Sequence, residues 1–188
     1  MRAPRLLLVL FSLCCAPVAL FAQRHRDPLT QAEINQVRDT SWEPKLRLPL
    51  YVEFARARLL KMEEVRNDSK AKDRARQTHD LLDDFQLLYD ELNDNIDTYV
   101  DRRDDIRKPL KAIIDADTEF QSKLRALKDA AGVPAAESQQ YEFVLTNAIE
   151  TVDSSAEDHR KLLSDQEELA KHKKLVKDAS KGTGVSPE

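Results

Sequence analysis

The chain is predicted to be all-α: an elongated antiparallel three-helix bundle with a protruding two-helix coiled-coil hairpin, preceded by a short N-terminal helix. Three observations carry that expectation. Glycine occurs only three times in 188 residues, as Gly132, Gly182 and Gly184, whereas a β-rich or α/β chain needs more turn glycines and β-branched runs. Apolar residues recur at alternating steps of four and three through the middle and the C-terminal third, the spacing of a helical seam. Charged residues make up 34% of the chain, as expected of helices with solvated outer faces.

The N-terminus sets the expected compartment. Met1-Arg2-Ala3-Pro4-Arg5 is a short basic start, Leu6 to Phe21 is apolar, and Leu20-Phe21-Ala22 precedes Gln23. Residues 1–22 therefore read as a cleaved signal peptide, and the protein is expected to be periplasmic or secreted. The apolar run contains Pro17 and is shorter than the ~20 residues of a spanning helix. Cleavage would remove Cys14 and Cys15, the only two cysteines. The mature chain could then hold neither a disulfide framework nor a cysteine–zinc or c-type haem site. The basic total of 30, less Arg2 and Arg5, falls to 28 against 34 acids, a net charge of −6. That balance argues against nucleic acid or an anionic membrane as the main partner.

Residues 23–179 are expected to form one helical-bundle domain, with a disordered tail over 180–188. Thr30-Gln31-Ala32-Glu33 is a capping box that opens a short helix ending near Asp39. Glu43-Pro44 restarts the chain, and a second helix runs from about Pro44 to Arg66, followed by the turn signal Asn67-Asp68-Ser69. Its inward stripe is Tyr51, Val52, Ala55, Leu59 and Met62.

The third segment, from about Lys72 to Ala130, keeps one heptad phase. Phe85, Tyr89, Leu92, Ile96, Tyr99, Arg103, Ile106, Leu110, Ile113, Asp117, Phe120, Leu124 and Leu127 follow it without a break. Because the phase survives Pro109, a kink is expected there, with a separate helix starting at Pro109 as the alternative. Gly132-Val133-Pro134 then stops the segment. A fourth helix, from about Ala135 to Asp178, repeats the device from Tyr141 to Val176, with Ser155, His159, Gln166 and Lys173 as polar seam positions. Folding back at Gly132 would place Phe120 by Phe143 and Ile113 by Ile149. The turn near Asn67 would place Phe54 by Phe85.

The motif Leu29-Thr30-Gln31-Ala32-Glu33 resembles the Leu-Thr-x-x-Gln motif of the small periplasmic envelope-stress chaperones, with Glu33 in place of the glutamine. The resemblance covers about five residues and is shared by any capping box preceded by leucine.

Little in the sequence points to chemistry. Ten acids between Asp80 and Asp105 face only Arg102 and Arg103, but a calcium loop needs a glycine turn that this stretch lacks. The expected role is neutralisation by neighbouring bases, among them Arg56, Arg58, Lys61, Arg66, Arg74 and Arg76 on one side and Lys171, Lys173 and Lys174 on the other. The histidines are His25, His79, His159 and His172, none in the Glu-x-x-His spacing of a di-iron bundle. Met62 and His172 fall too far apart along the bundle to share a haem iron. His159 and Arg103 are expected at one level, with Glu157 and Asp158 nearby, as a polar layer that fixes register. A pH-sensitive joint is the alternative reading of that layer. No phosphate loop, nucleophile elbow or cysteine nucleophile is present in the mature stretch. No catalytic, cofactor-binding or metal residue is therefore assigned, and no cofactor is expected. The expected function is a non-enzymatic exported protein acting by protein–protein contact or self-association. The alternative is a holdase-like periplasmic chaperone.

Overall fold

The computed structural model describes residues 27–182; the expected signal peptide lies outside them, as does the tail beyond 182. The described residues hold six helices: α1 Gln31–Asp39, α2 Pro44–Asn67, α3 Arg74–Asp101, α4 Arg107–Lys128, α5 Ala135–Ser138 and α6 Glu142–Gly182. The molecule is an all-α helical bundle with the short N-terminal helix in place.

The first half follows the sequence closely. Thr30 Oγ1 accepts from the Glu33 amide at 3.3 Å, and Glu33 Oε2 accepts from the Thr30 amide at 2.7 Å, which completes the capping box. Arg58 then clips α1 onto α2, donating to both Glu33 carboxylate oxygens (2.8 and 2.7 Å) and to the Pro28 carbonyl at 2.6 Å. Burial alone would raise the Glu33 carboxyl, but Arg58 and the Thr30 bonds outweigh it and hold the group below its ordinary range. The clip's contribution is complete above the unfolded-state value near ~4.3 and fades as pH falls through the lower folded-state value. Between α1 and α2, Ser41 and Trp42 take positive φ, and the Arg47 guanidinium lies 4.0 Å over the Trp42 ring. Helix α2 ends at the expected turn, where Asp68 Oδ1 accepts from the Lys70 amide at 2.8 Å. Across the α2–α3 hairpin Arg47 Nε donates to Asn95 Oδ1 at 2.7 Å, a pair that centres on residue 71, just past the expected turn.

The third segment is corrected. It is two helices, not one kinked helix, and the chain reverses at Arg103 rather than continuing to Gly132. The ring centroids of Phe85 and Phe120 are 5.3 Å apart, and the Tyr89 hydroxyl donates to Asp117 Oδ1 at 2.7 Å. Both pairs centre on Arg103. The stop is a Schellman cap: the Asp104 amide donates to Tyr99 O at 2.9 Å and the Arg103 amide to Val100 O at 2.8 Å. That motif usually announces itself with glycine at its left-handed position, whereas here Arg103 occupies it at φ +62°. Pro109, in the first turn of α4, lacks an amide that would have no helical partner there. Arg103→Gly should therefore stabilise the protein by about 0.5–1 kcal/mol, net of the glycine's greater unfolded-state entropy. A urea midpoint that falls instead of rising would contradict the strain assigned to this residue.

The second register is corrected as well. Gln121 donates to Asp153 at 2.8 Å, and Lys111 pairs with Glu167 at 2.9 Å; these pairs centre near Ser138. Gly132 does turn, at φ +80°, but the one-turn helix α5 lengthens the link before α6 begins. Phe120 therefore meets Phe85 and Tyr89, while Phe143 is 80% exposed.

These two corrections replace the extended arrangement. α2 packs on α3, α4 packs on α6, and the hairpins join through α2 on α4 and α3 on α6. α3 and α4 stand diagonally, so their aromatic side chains meet across the bundle axis. No two-helix arm projects from the described residues, because α4 returns alongside α2. What projects is the end of α6, which runs helical to Gly182, past the point where a tail is expected. At 1.5 Å per residue α6 is about 60 Å long. Leu48, Leu59, Leu82, Phe85, Leu88, Leu92, Leu110, Phe120 and Leu124 are fully buried, each stabilising by about 1.5–3 kcal/mol relative to exposure.

Candidate functional site

Behind the α3–α6 face lies a buried polar layer. His159 Nδ1 stands 2.9 Å from Asp117 Oδ2, and its Nε2 stands 3.2 Å from Asn93 Oδ1. Asn93 Nδ2 donates to Ser155 Oγ at 3.0 Å, while Tyr89 closes the other side of Asp117 at 2.7 Å. Asp117, Tyr89 and His159 are all buried. Burial, and next the Asp117 carboxylate beside it, push the Tyr89 phenol far above its ordinary range. The expected level of His159 is right in kind but wrong in partner. Arg103 is exposed in the turn, Glu157 and Asp158 face solvent, and Asp117 is the buried partner of the ring. Asp117 and Arg103 were the two polar interruptions of the seam, and choosing between them needs the α4–α6 register. Both nitrogens of His159 are occupied by Asp117 and Asn93, and Ser155 bonds to Asn93, so the ring has no hydroxyl to activate. The arrangement is that of a layer holding three helices, α3, α4 and α6, in register.

In front of this layer a groove runs between α3 and α6. Its inner part, about 410 Å³, is bordered by Asn93, Ile96, Asp97, Ser155, Asp158 and His159. Its outer part, about 590 Å³, is bordered by Arg103, Asp104, Asp105, Asp165, Leu169 and Lys173. Val100 and Leu162 border both parts. The floor is apolar, and the rim mixes five aspartates with Arg103, Arg107 and Lys173. Gln166 fixes the outer end: its Nε2 donates to Asp104 O and its Oε1 accepts from the Ile106 amide, both at 3.2 Å. Arg107 forms two side-chain bonds to Asp105, at 2.8 and 2.6 Å, and holds that carboxyl down to about 2.

Beyond Gln166 the bundle stops and α6 continues. Leu169, Leu175 and Val176 are 61%, 69% and 55% exposed. Around them run Lys171, His172, Lys173 and Lys174, all exposed. Among the described residues no helix is long and apolar enough to cross a membrane.

The remaining sequence candidates lie apart. Arg56, Arg58, Lys61 and Arg76 pair with Glu119, Glu33, Glu64 and Asp73, and Arg66 and Arg74 converge on Glu137. Those six bases thus make ion pairs outside the acidic stripe. Within the stripe, Asp104 and Asp105 pair with Arg102 and Arg107. Met62 is buried in the core, while His172 sits exposed on the overhang and His25 falls outside the described residues. Among the described residues no group of three or more His, Cys, Asp or Glu is placed to hold a metal ion. Compared with known proteins, the chain matches no family model, no curated protein and no solved structure.

Proposed function

We propose that this is an exported, non-enzymatic helical protein that acts by contact with another protein or with itself, through the α6 overhang and the adjoining groove. One observation carries the reading: Leu169, Leu175 and Val176 lie exposed on a helix that has outrun its bundle. Side chains of this kind on a regular helix suit burial against a second helix or an apolar surface. The polar layer, by contrast, has its hydrogen bonds made internally and serves the fold. Export is inferred from the sequence of residues 1–22 alone.

The test is capture from exported fractions on immobilised protein, comparing wild type with a Leu169→Asp, Val176→Asp double variant. A discrete partner, retained by wild type and lost by the variant, is the expected result. Both positions are exposed, so the variant should melt within about 0.5 kcal/mol of wild type. Equal capture by the two proteins would remove the overhang from the proposal. The same exposed side chains favour a second reading, a holdase-like chaperone. That reading requires stoichiometric suppression of a model protein's aggregation by wild type and not by the variant.

A further inference from the structure

We propose that the occupant of the groove is a second copy of this chain: two α6 helices pair antiparallel about Leu169, each overhang lying along the α3–α6 groove of the other. The proposal rests on the reading that the protein acts by contact, and deepens it by naming a partner. Leu162, Leu169 and Val176 recur every seven residues, so they share one face of α6. Leu162 and Leu169 border the groove, and Val176 continues that face past the bundle end.

Charge selects the orientation. The segment is split into an acidic run, Asp165, Glu167 and Glu168, and a basic run, Lys171, Lys173 and Lys174, on either side of Leu169 and Ala170. Antiparallel pairing about Leu169 sets Asp165, which borders the groove, level with Lys173 of the second copy, whereas Glu167 turns to Lys111 of its own α4. Parallel pairing would set Asp165 beside Asp165 and Lys173 beside Lys173, which costs rather than contributes. In the antiparallel register Leu162 meets Val176 of the second copy, and Leu169 meets Leu169. The backbone from Ala170 to Gly182 then lies along residues 156–168, the part of α6 that borders the groove. The groove's rim carries Asp97, Asp104, Asp105, Asp158 and Asp165 against Arg103, Arg107 and Lys173, so it offers the incoming lysines an acidic excess. The pairing is self-complementary, so it closes as a two-fold dimer and does not propagate.

Sedimentation equilibrium of the protein, purified as cells accumulate it, tests this at low and at high salt. A dimer is expected at about 100 µM, with a dissociation constant raised at least about tenfold by Leu169→Asp. High salt should weaken the wild-type dimer, since exposed charge pairs are screened. The melting curve of the variant should match wild type, which separates lost pairing from lost folding. Orientation is read by oxidation of single-cysteine variants on a background with Cys14 and Cys15 absent or replaced. Leu169→Cys should cross-link to itself, and Val176→Cys should cross-link to Leu162→Cys but not to itself. A monomer at about 100 µM, a dimer indifferent to Leu169→Asp, or self-cross-linking of Val176→Cys each overturns the proposal. So does a monomeric wild type that binds phosphatidylglycerol vesicles through Leu169, which would make the overhang a membrane-surface helix. If wild type is monomeric yet captures a discrete partner lost in the Leu169→Asp, Val176→Asp variant, self-pairing fails and the contact reading survives. If it is monomeric and captures nothing, both fail.

Discussion

Asp117→Ala is expected to destabilise the protein by about 3–5 kcal/mol, as removal of one partner from a buried charged network does. The carboxylate accepts from Tyr89 at 2.7 Å and stands 2.9 Å from His159 Nδ1, with no part of its side chain open to solvent. Alanine would leave a phenol and an imidazole nitrogen unpaired in the core and open a small void besides. Against a total of roughly 5–15 kcal/mol for a domain of this size, such a loss leaves little margin. Asp117→Asn keeps an acceptor for one of the two neighbours and should cost less, about 1–2 kcal/mol. Urea denaturation of the three proteins measures both effects. A cost below about 1 kcal/mol for Asp117→Ala would mean that the layer carries little of the fold. Replacing Tyr89, Asp117 and His159 together by Phe, Leu and Leu should be far milder than the single alanine, because no polar group is then stranded. If the layer sets register, this triple variant should fold with a broader transition, the sign of a core that accepts more than one alignment.

Phe120→Ala should cost about 3–5 kcal/mol, whereas Phe143→Ala should change stability by less than about 0.5 kcal/mol. Phe120 is fully buried, with ring centroids 5.3 Å from Phe85 and 6.1 Å from Tyr89 and the Arg56 guanidinium 5.8 Å above its face. Phe143 stands in solvent at the start of α6. The contrast separates the two possible arrangements of the chain. Had the hairpin folded at Gly132, each phenylalanine would have covered the other and both substitutions would have been costly. Comparable losses at the two positions would therefore restore the extended arrangement and remove the diagonal pairing of α3 with α4.

The inward-facing positions were almost entirely legible. Every apolar residue of the third-segment seam, from Phe85 to Leu127, is buried, because a helix shows the core its side chains at a fixed angular interval. The capping box at Thr30 and the turn after Asn67 were equally legible, being local chemistry between residues close in sequence. The reversal at Arg103 was hidden for a local reason too: its left-handed residue is arginine, and the usual glycine signal is absent. Once that turn was missed, an unbroken phase looked like an unbroken helix. Periodicity reports which face is apolar and says nothing about whether the chain has turned between two such faces.

The candidate surface shows the same division. Leu162, Leu169 and Val176 belong to one seam by spacing, yet only the fold shows that the bundle covers the first and leaves the other two outside. His159 is a polar seam position by its spacing, but its partner depends on α5, a single helical turn that moves the reversal point from Gly132 to near Ser138. The sequence by itself determined the class, the helix faces, the cap at Thr30, the turn at Asn67-Asp68-Ser69, and the split of charge along the end of α6. The tertiary structure decided the four-helix packing, the Asp117–His159 pairing and the length of α6 left uncovered. The first group follows from contacts within a few residues along one helix. The second depends on where helices distant in the chain come to rest, and a shift of a few residues in either turn exchanges every partner across the interface.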